Sequence, residues 1–189
     1  MTGRTAAVLA AVASARAGAT ADADPFERSL TLQGITFRVA CPNDSPRPTL
    51  TVTPSGLAAD NSPVTKEVDG RVVGAEVADL NADGSPEIYV YVQSRGSGAH
   101  GSLAAWSANN GRSLSEVFLP ELADDPRAAQ GYQGRDELRV AGRELVRRFP
   151  VYRDGDANAR PTGGTREIRY VLAHGEASWV LRIGKVLTR

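Results

Sequence analysis

The chain has 189 residues, with 22 basic and 22 acidic side chains, zero formal net charge and 41% hydrophobic residues. Balanced charge without a basic block argues against the phosphate-neutralising surface that non-specific nucleic-acid binding needs. No run approaches the roughly 18 apolar residues of a membrane-spanning helix, and the apolar content is high enough to build a packed core.

The first 20 residues have the layout of a secretory signal, with a disordered N-terminus as the other reading. Arg4 precedes the apolar run "AAVLAAVA" (residues 6–13), and "SARAGA" then offers small-residue cleavage points after Ala15 or Ala17. This order of charge, apolar run and small residues predicts a periplasmic or secreted protein. Cys41 is the only cysteine, so neither an intrachain disulfide nor a cysteine metal cluster can form. Arg38, Val39 and Ala40 just before it are not the apolar stretch of a lipid-attachment site, and a buried, inert thiol is expected.

From about Phe26 to residue 186 the chain reads as one all-β domain. In "LTLQGITFRVA" a break at Gly34 precedes alternation that puts Ile35, Phe37 and Val39 on one face, and "TLTVTP" pairs Leu50 with Val52. Asp69-Gly70 interrupts "VTKEVDGRVVGAEVADL" and predicts a two-residue hairpin. "PEIYVYVQS" sends Ile88, Val90 and Val92 one way, and Tyr89, Tyr91 and Gln93 the other. Further turns are expected at Asn110-Gly111, Ala141-Gly142 and His174-Gly175. The last of these sets Ile168, Tyr170 and Leu172 against Trp179, Leu181 and Ile183. Only "ADDPRAAQGY" (residues 123–132) suggests a helix, with Asp125 as N-cap and Pro126 at the first helical position. Short strands at regular spacing predict an antiparallel β-sandwich of roughly eight strands with at most one short helix.

"DLNADGSPE" (residues 79–87) begins like a calcium loop, with Asp79, Asn81 and Asp83 at positions 1, 3 and 5 and Gly84 at position 6. Position 12, where an EF-hand needs a bidentate Glu, holds Val90. Calcium-binding hairpins of propeller repeats come in arrays, and this motif occurs once. The favoured reading is a turn whose Asp and Asn side chains bond their own backbone, so no metal or other cofactor is expected. A secreted calcium-stabilised β module with a structural or adhesive role is the alternative.

Catalysis has little to rest on. No Gly-x-Ser-x-Gly joins a strand to a helix, and His100 and His174 alone make no metal site. Asp154 and Asp156 share the irregular stretch "RDGDANARPTGGT" (residues 153–165), where Gly-flanked aspartates read as turn formers. A hydrolase sited in that loop is the third reading.

Between two strand candidates lies "RGSGAHG", running from Arg95 to Gly101. A hairpin needs only two residues here, yet three glycines, a serine and a histidine are present. Together with "SGAHGSLAAWSANNGRSLSEVFLP", "GYQGRDE", "RRFPVYRDGDANARPTGGTREIRY" and "GEASW", this stretch resembles the periplasmic inhibitors of invertebrate-type lysozyme of Gram-negative bacteria. The likeness runs in order over roughly residues 57–181. It implies an exported β-sandwich, without catalysis of its own, that plugs a lysozyme cleft with a loop bearing Ser-Gly-x-Tyr. By position Ser97 and Gly98 match, and His100 stands where the tyrosine is usual.

On this reading the partner is an invertebrate-type lysozyme, and oligomeric state, homodimer included, stays open. Gly96, Gly98 and Gly101 would thin the backbone. Ser97 and His100 would supply donors to the catalytic carboxylates, with Arg95 at the loop's start. Asp154, Asp156, Asn158 and Thr162 would form a second contact loop.

Overall fold

A computed structural model describes residues 24–189; the signal-like segment lies outside them. Twelve strands form two sheets. The first is an antiparallel meander of β1 (Phe26–Leu32), β2 (Ile35–Cys41), β3 (Thr49–Ser55) and β4 (Val64–Glu67). The second begins with β5 (Arg71–Ala78), β6 (Glu87–Gln93), β7 (Gly101–Asn109) and β8 (Ser113–Phe118). After a 3-10 turn at Leu122–Asp124 and a one-turn helix α1 (Pro126–Ala129), it continues with β9 (Glu137–Ala141), β10 (Glu144–Pro150), β11 (Thr165–His174) and β12 (Trp179–Thr188). The spatial order is β5-β6-β7-β8-β12-β11-β10-β9.

The all-β class read from the sequence is what the fold shows, with twelve strands where about eight were expected. Helix α1 starts as its capping residues predict, the Asp125 carboxylate accepting the N–H groups of Arg127 and Ala128 at 3.0 Å each. The turns at Asn110-Gly111, Gly142 and Gly175 join paired strands. Asp69-Gly70 does not. β4 pairs with β3 and β5 with β6, so this dipeptide carries the chain from one sheet to the other. Gly70 is needed for a different reason. Its φ is +132°, and a Cβ there would lie 2.3 Å from the Gln93 carbonyl oxygen.

β6 explains how two cores coexist. Its Ile88, Val90 and Val92 join Phe37, Val39, Leu50, Val52 and Trp106 between the two sheets. Its Tyr89 and Tyr91 point the other way, into a second core with Leu145, Phe149, Ile168, Tyr170 and Leu181. That second core lies inside the larger sheet, which curls until β9 returns toward β5. There the Glu76 carboxylate receives the Val140 N–H at 2.6 Å and the Tyr91 hydroxyl. One carboxylate thus bonds across the gap that a strand ladder would otherwise close. Each wholly buried aliphatic or Phe side chain contributes about 1.5–3 kcal/mol, so a strand buried on both faces is the most heavily invested element of the fold. Cys41 is buried as expected, and burial raises its thiol pKa.

The "DLNADG" turn bonds its own backbone. Asp79 accepts the N–H groups of Asp83 (3.1 Å) and Gly84 (3.0 Å), and Asp83 accepts that of Ser85 at 2.8 Å. Beneath it lies Glu87, the first residue of β6, with 0% of its surface exposed. Its carboxylate takes the Leu80 N–H at 3.0 Å, the Ser107 hydroxyl at 3.1 Å and the Tyr89 hydroxyl at 3.3 Å.

Burial pushes the Glu87 carboxyl up from 4.5 to about 7, outweighing the lowering effect of the Leu80 and Ser107 donors. Between those two values the native protein binds a proton that the unfolded chain has released. Stability is therefore highest on the acid side and falls as pH rises through the window. Carboxylates held below their ordinary values, such as Asp156 and Glu167, titrate beneath it. We expect the midpoint of thermal unfolding to be several degrees lower at about pH 8 than at about pH 5.5. Glu87→Gln should flatten that slope, and scanning calorimetry of both proteins checks it.

Candidate functional site

The loop from Ser94 to His100 joins β6 to β7, whose last paired residues are Gln93 and Gly101. It is closed at its base and turned at its tip. Ser94 N–H donates to the His100 carbonyl (2.9 Å), and His100 N–H donates back to Ser94 Oγ (2.9 Å). Ala99 N–H reaches the Gly96 carbonyl at 3.0 Å. Arg95 is itself exposed, but its guanidinium donates to the Asn43 carbonyl and ties the loop to the β2–β3 connection. Gly96 and Ser97 form the exposed tip, and a Cβ at Gly96 would meet nothing.

The remaining candidates fold back onto the protein. A Cβ on Gly98 would lie 2.3 Å from His100 Cε1, so the imidazole occupies the space that a side chain there would need. The same ring meets Tyr132 edge-on, with centroids 5.6 Å apart, and His100 stays exposed on its outer side. Gly101 is glycine because Asp136 lies behind it: a Cβ would come within 2.7 Å of Asp136 Cβ. Of the three loop glycines, only Gly96 has open space around its Cα.

Everything under the loop converges on Asp136. Its side chain is 0% exposed and that of Arg147, on β10, is 7% exposed. Arg147 Nε donates to Asp136 Oδ1 at 2.5 Å. Asp136 Oδ2 accepts the Gly101 N–H at 2.8 Å and the Tyr132 hydroxyl at 2.6 Å. Arg147 also donates to the Tyr132 hydroxyl at 2.9 Å and the Gly101 carbonyl at 3.3 Å. Burial opposes the charge on Arg147, but the hydrogen bond and negative charge of Asp136 hold its pKa above the ordinary value. Tyr132 is pushed upward by burial and by its bond to Asp136.

A second brace is backbone on backbone. Arg135 N–H donates to the Gly98 carbonyl at 2.7 Å, and Gly134, at φ +95°, approaches so closely that a Cβ would lie 2.1 Å from that oxygen. "SGAHG" and "GYQGRD", separate in sequence, are two sides of one packed unit.

The second loop is anchored on the same segment, since Tyr152 N–H donates to the Gly131 carbonyl at 2.8 Å. Within it Asp156 is a staple. It accepts the N–H groups of Arg153 and Thr162 (2.8 Å each) and the Thr162 hydroxyl at 2.8 Å, and those backbone donors lower its pKa. Asn158 gives its carbonyl to the Tyr152 hydroxyl at 2.9 Å. Asp154 is exposed. The structure does not bring the two histidines together. His174 sits at the β11–β12 tip beside Asn109, the far end of β7 from Gly101 and His100, roughly 25 Å away along that strand.

Tyr132, Asp136, Arg147 and Ser94 lie in stretches quoted above but were not among the candidate site residues, although one signal pointed to Arg147. In "ELVRRFP" it alternates with Leu145 and Phe149, a charge at an inward-facing position of a strand.

Asp136→Ala would leave the Arg147 guanidinium buried without its partner, a loss of about 3–5 kcal/mol in urea unfolding. Replacing both, as Asp136→Leu with Arg147→Met, should cost less because no orphan charge remains. In both variants Gly101 loses its anchor, and trypsin should cut after Arg95 faster than in the wild type.

No protein family, no curated protein and no solved structure matches this chain.

Proposed function

We propose that the protein inhibits an invertebrate-type lysozyme, without catalysis of its own, by inserting the tip of the Arg95–Gly101 loop into the enzyme's sugar-binding cleft. One observation carries this reading. The exposed Gly96–Ser97 tip stands on a base fixed by the buried Asp136–Arg147–Tyr132 cluster and by the Gly98–Gly134 contact. A hairpin tip without a task needs no such foundation. A plug does, because rigidity in the free protein reduces the ordering cost of binding.

The chemistry of the tip fits the target. A lysozyme cleft is a groove with carboxylates on its floor. Gly96 keeps the entering backbone thin, and Ser97 Oγ presents a hydroxyl donor. His100 lies further back against Tyr132, its exposed side available to the cleft wall. The resemblance of "SGAHG" and "GYQGRD" to the lysozyme-inhibitor family points the same way. In this setting the signal-like N-terminus serves to place the inhibitor in the periplasm, between the enzyme and the peptidoglycan it attacks.

Ser97→Ala should weaken inhibition of an invertebrate-type lysozyme by roughly 5- to 150-fold, the equivalent of about 1–3 kcal/mol for a donor lost from a buried carboxylate. The check is a titration of lysozyme activity against wild type and variant, with equal unfolding midpoints confirming that the fold is kept. Equal inhibition by both proteins would remove the loop from the interface. A separate measurement addresses export: mass spectrometry of protein from its native host should find an N-terminus trimmed near Ala15 or Ala17.

A further inference from the structure

At the opposite end of the sandwich, three connections border an open groove of about 410 Å³, within the size range of small-ligand sites. They are the Asn109-Asn110 tip of β7–β8, the residue 175–178 tip of β11–β12 and the acidic turn around Asp83. None of its residues belongs to the loop described above. We infer that this groove is a binding site for an uncharged oligosaccharide.

The argument is from complementarity. A pyranose offers an apolar C–H face and a rim of hydroxyls, so its sites combine aromatic surface with amide, hydroxyl and carboxylate groups. Here Trp179 and His174 stack on each other with centroids 4.0 Å apart and planes 29° from parallel, and both rings contribute aromatic surface to the groove wall. The rim carries Asn109, Asn110, Asp83 and Glu176. Asn109 is set in advance, since its Oδ1 accepts the Ser115 hydroxyl at 2.9 Å and its amide hydrogens remain for a ligand.

Charge selects among the sugars. No Lys or Arg lines the groove, whereas two carboxylates do. A phosphorylated, sulfated or uronic-acid ligand would meet repulsion without a counter-charge, and a neutral or N-acetylated sugar would not.

The test uses tryptophan emission of the intact protein. Of its two tryptophans, Trp106 is buried in the first core and Trp179 lines the groove, so the signal reports on the site. Titration with the trisaccharides of N-acetylglucosamine and of glucose should give a saturable change with at least one of them at millimolar concentration. A sulfated, heparin-derived oligosaccharide should give none. Asn110→Gly with Glu176→Ala, both at exposed turn positions, should weaken binding by about tenfold or more through two lost hydrogen bonds. Calorimetric titration provides the second readout.

Absence of saturation with both neutral sugars overturns the inference, as does equal binding by the double variant or by the sulfated sugar. The site is independent of the lysozyme reading: Ser97→Ala should bind sugar normally, and the double variant should inhibit lysozyme normally.

Discussion

The buried ion pair of Arg147 and Asp136 is the constraint around which one end of the molecule is organised. Two charges withdrawn from water gain little net stability from each other, but neither tolerates losing its partner. Their remaining hydrogen-bonding capacity must also be met, and Tyr132 and both backbone groups of Gly101 meet much of it. Strand β10, the segment after α1 and the first residue of β7 are therefore fixed relative to one another. A non-directional apolar contact would hold them together without fixing their orientation. Directional bonds to Gly101 determine where the loop before it points.

Much of the architecture was legible because it rests on period-two alternation and turn chemistry. Ile35, Phe37 and Val39 face the core, Asp125 caps the helix, and Ile88 and Tyr89 face opposite ways, all as their sequence positions imply. What local pattern does not encode is which strands pair. Asp69-Gly70 carries a hairpin's residues yet serves a crossing between sheets, because Gly70 answers a close approach by Gln93, distant in sequence. Burial of β6 on both faces was present in its letters as apolar and aromatic residues on both sides. That the two sides belong to separate cores depends on how the larger sheet curls.

The site divides along the same line. Gly96 and Ser97 stand out in the sequence and stand exposed in the structure. The supports do not stand out, because Tyr132, Asp136 and Arg147 meet only through long-range packing. Gly98 and Gly101 have a reason to be glycine that the sequence does not display. Their missing side chains make room for His100 and Asp136 within the protein itself. In the second loop, Asp156 and Thr162 hold each other, leaving Asp154 as the exposed carboxylate.

The order of strands in the larger sheet has a consequence for how the chain reaches this state. β12 does not lie at an edge. It sits between β8, its parallel neighbour through Val117 and Phe118, and β11. Until residues 179–188 are available, the half built from β5 to β8 and the half built from β9 to β11 have no ladder between them. Their shared interior, with Tyr89 on one side and Ile168 on the other, then stays open to water. Assembly is thus gated by β12, the last of the described strands in chain order, and its contacts span sequence distances that slow folding. A partly synthesised chain presents two unpaired sheet edges and an apolar face, the species most prone to aggregate. Anything that holds the chain unfolded until β12 has been made would act on this step.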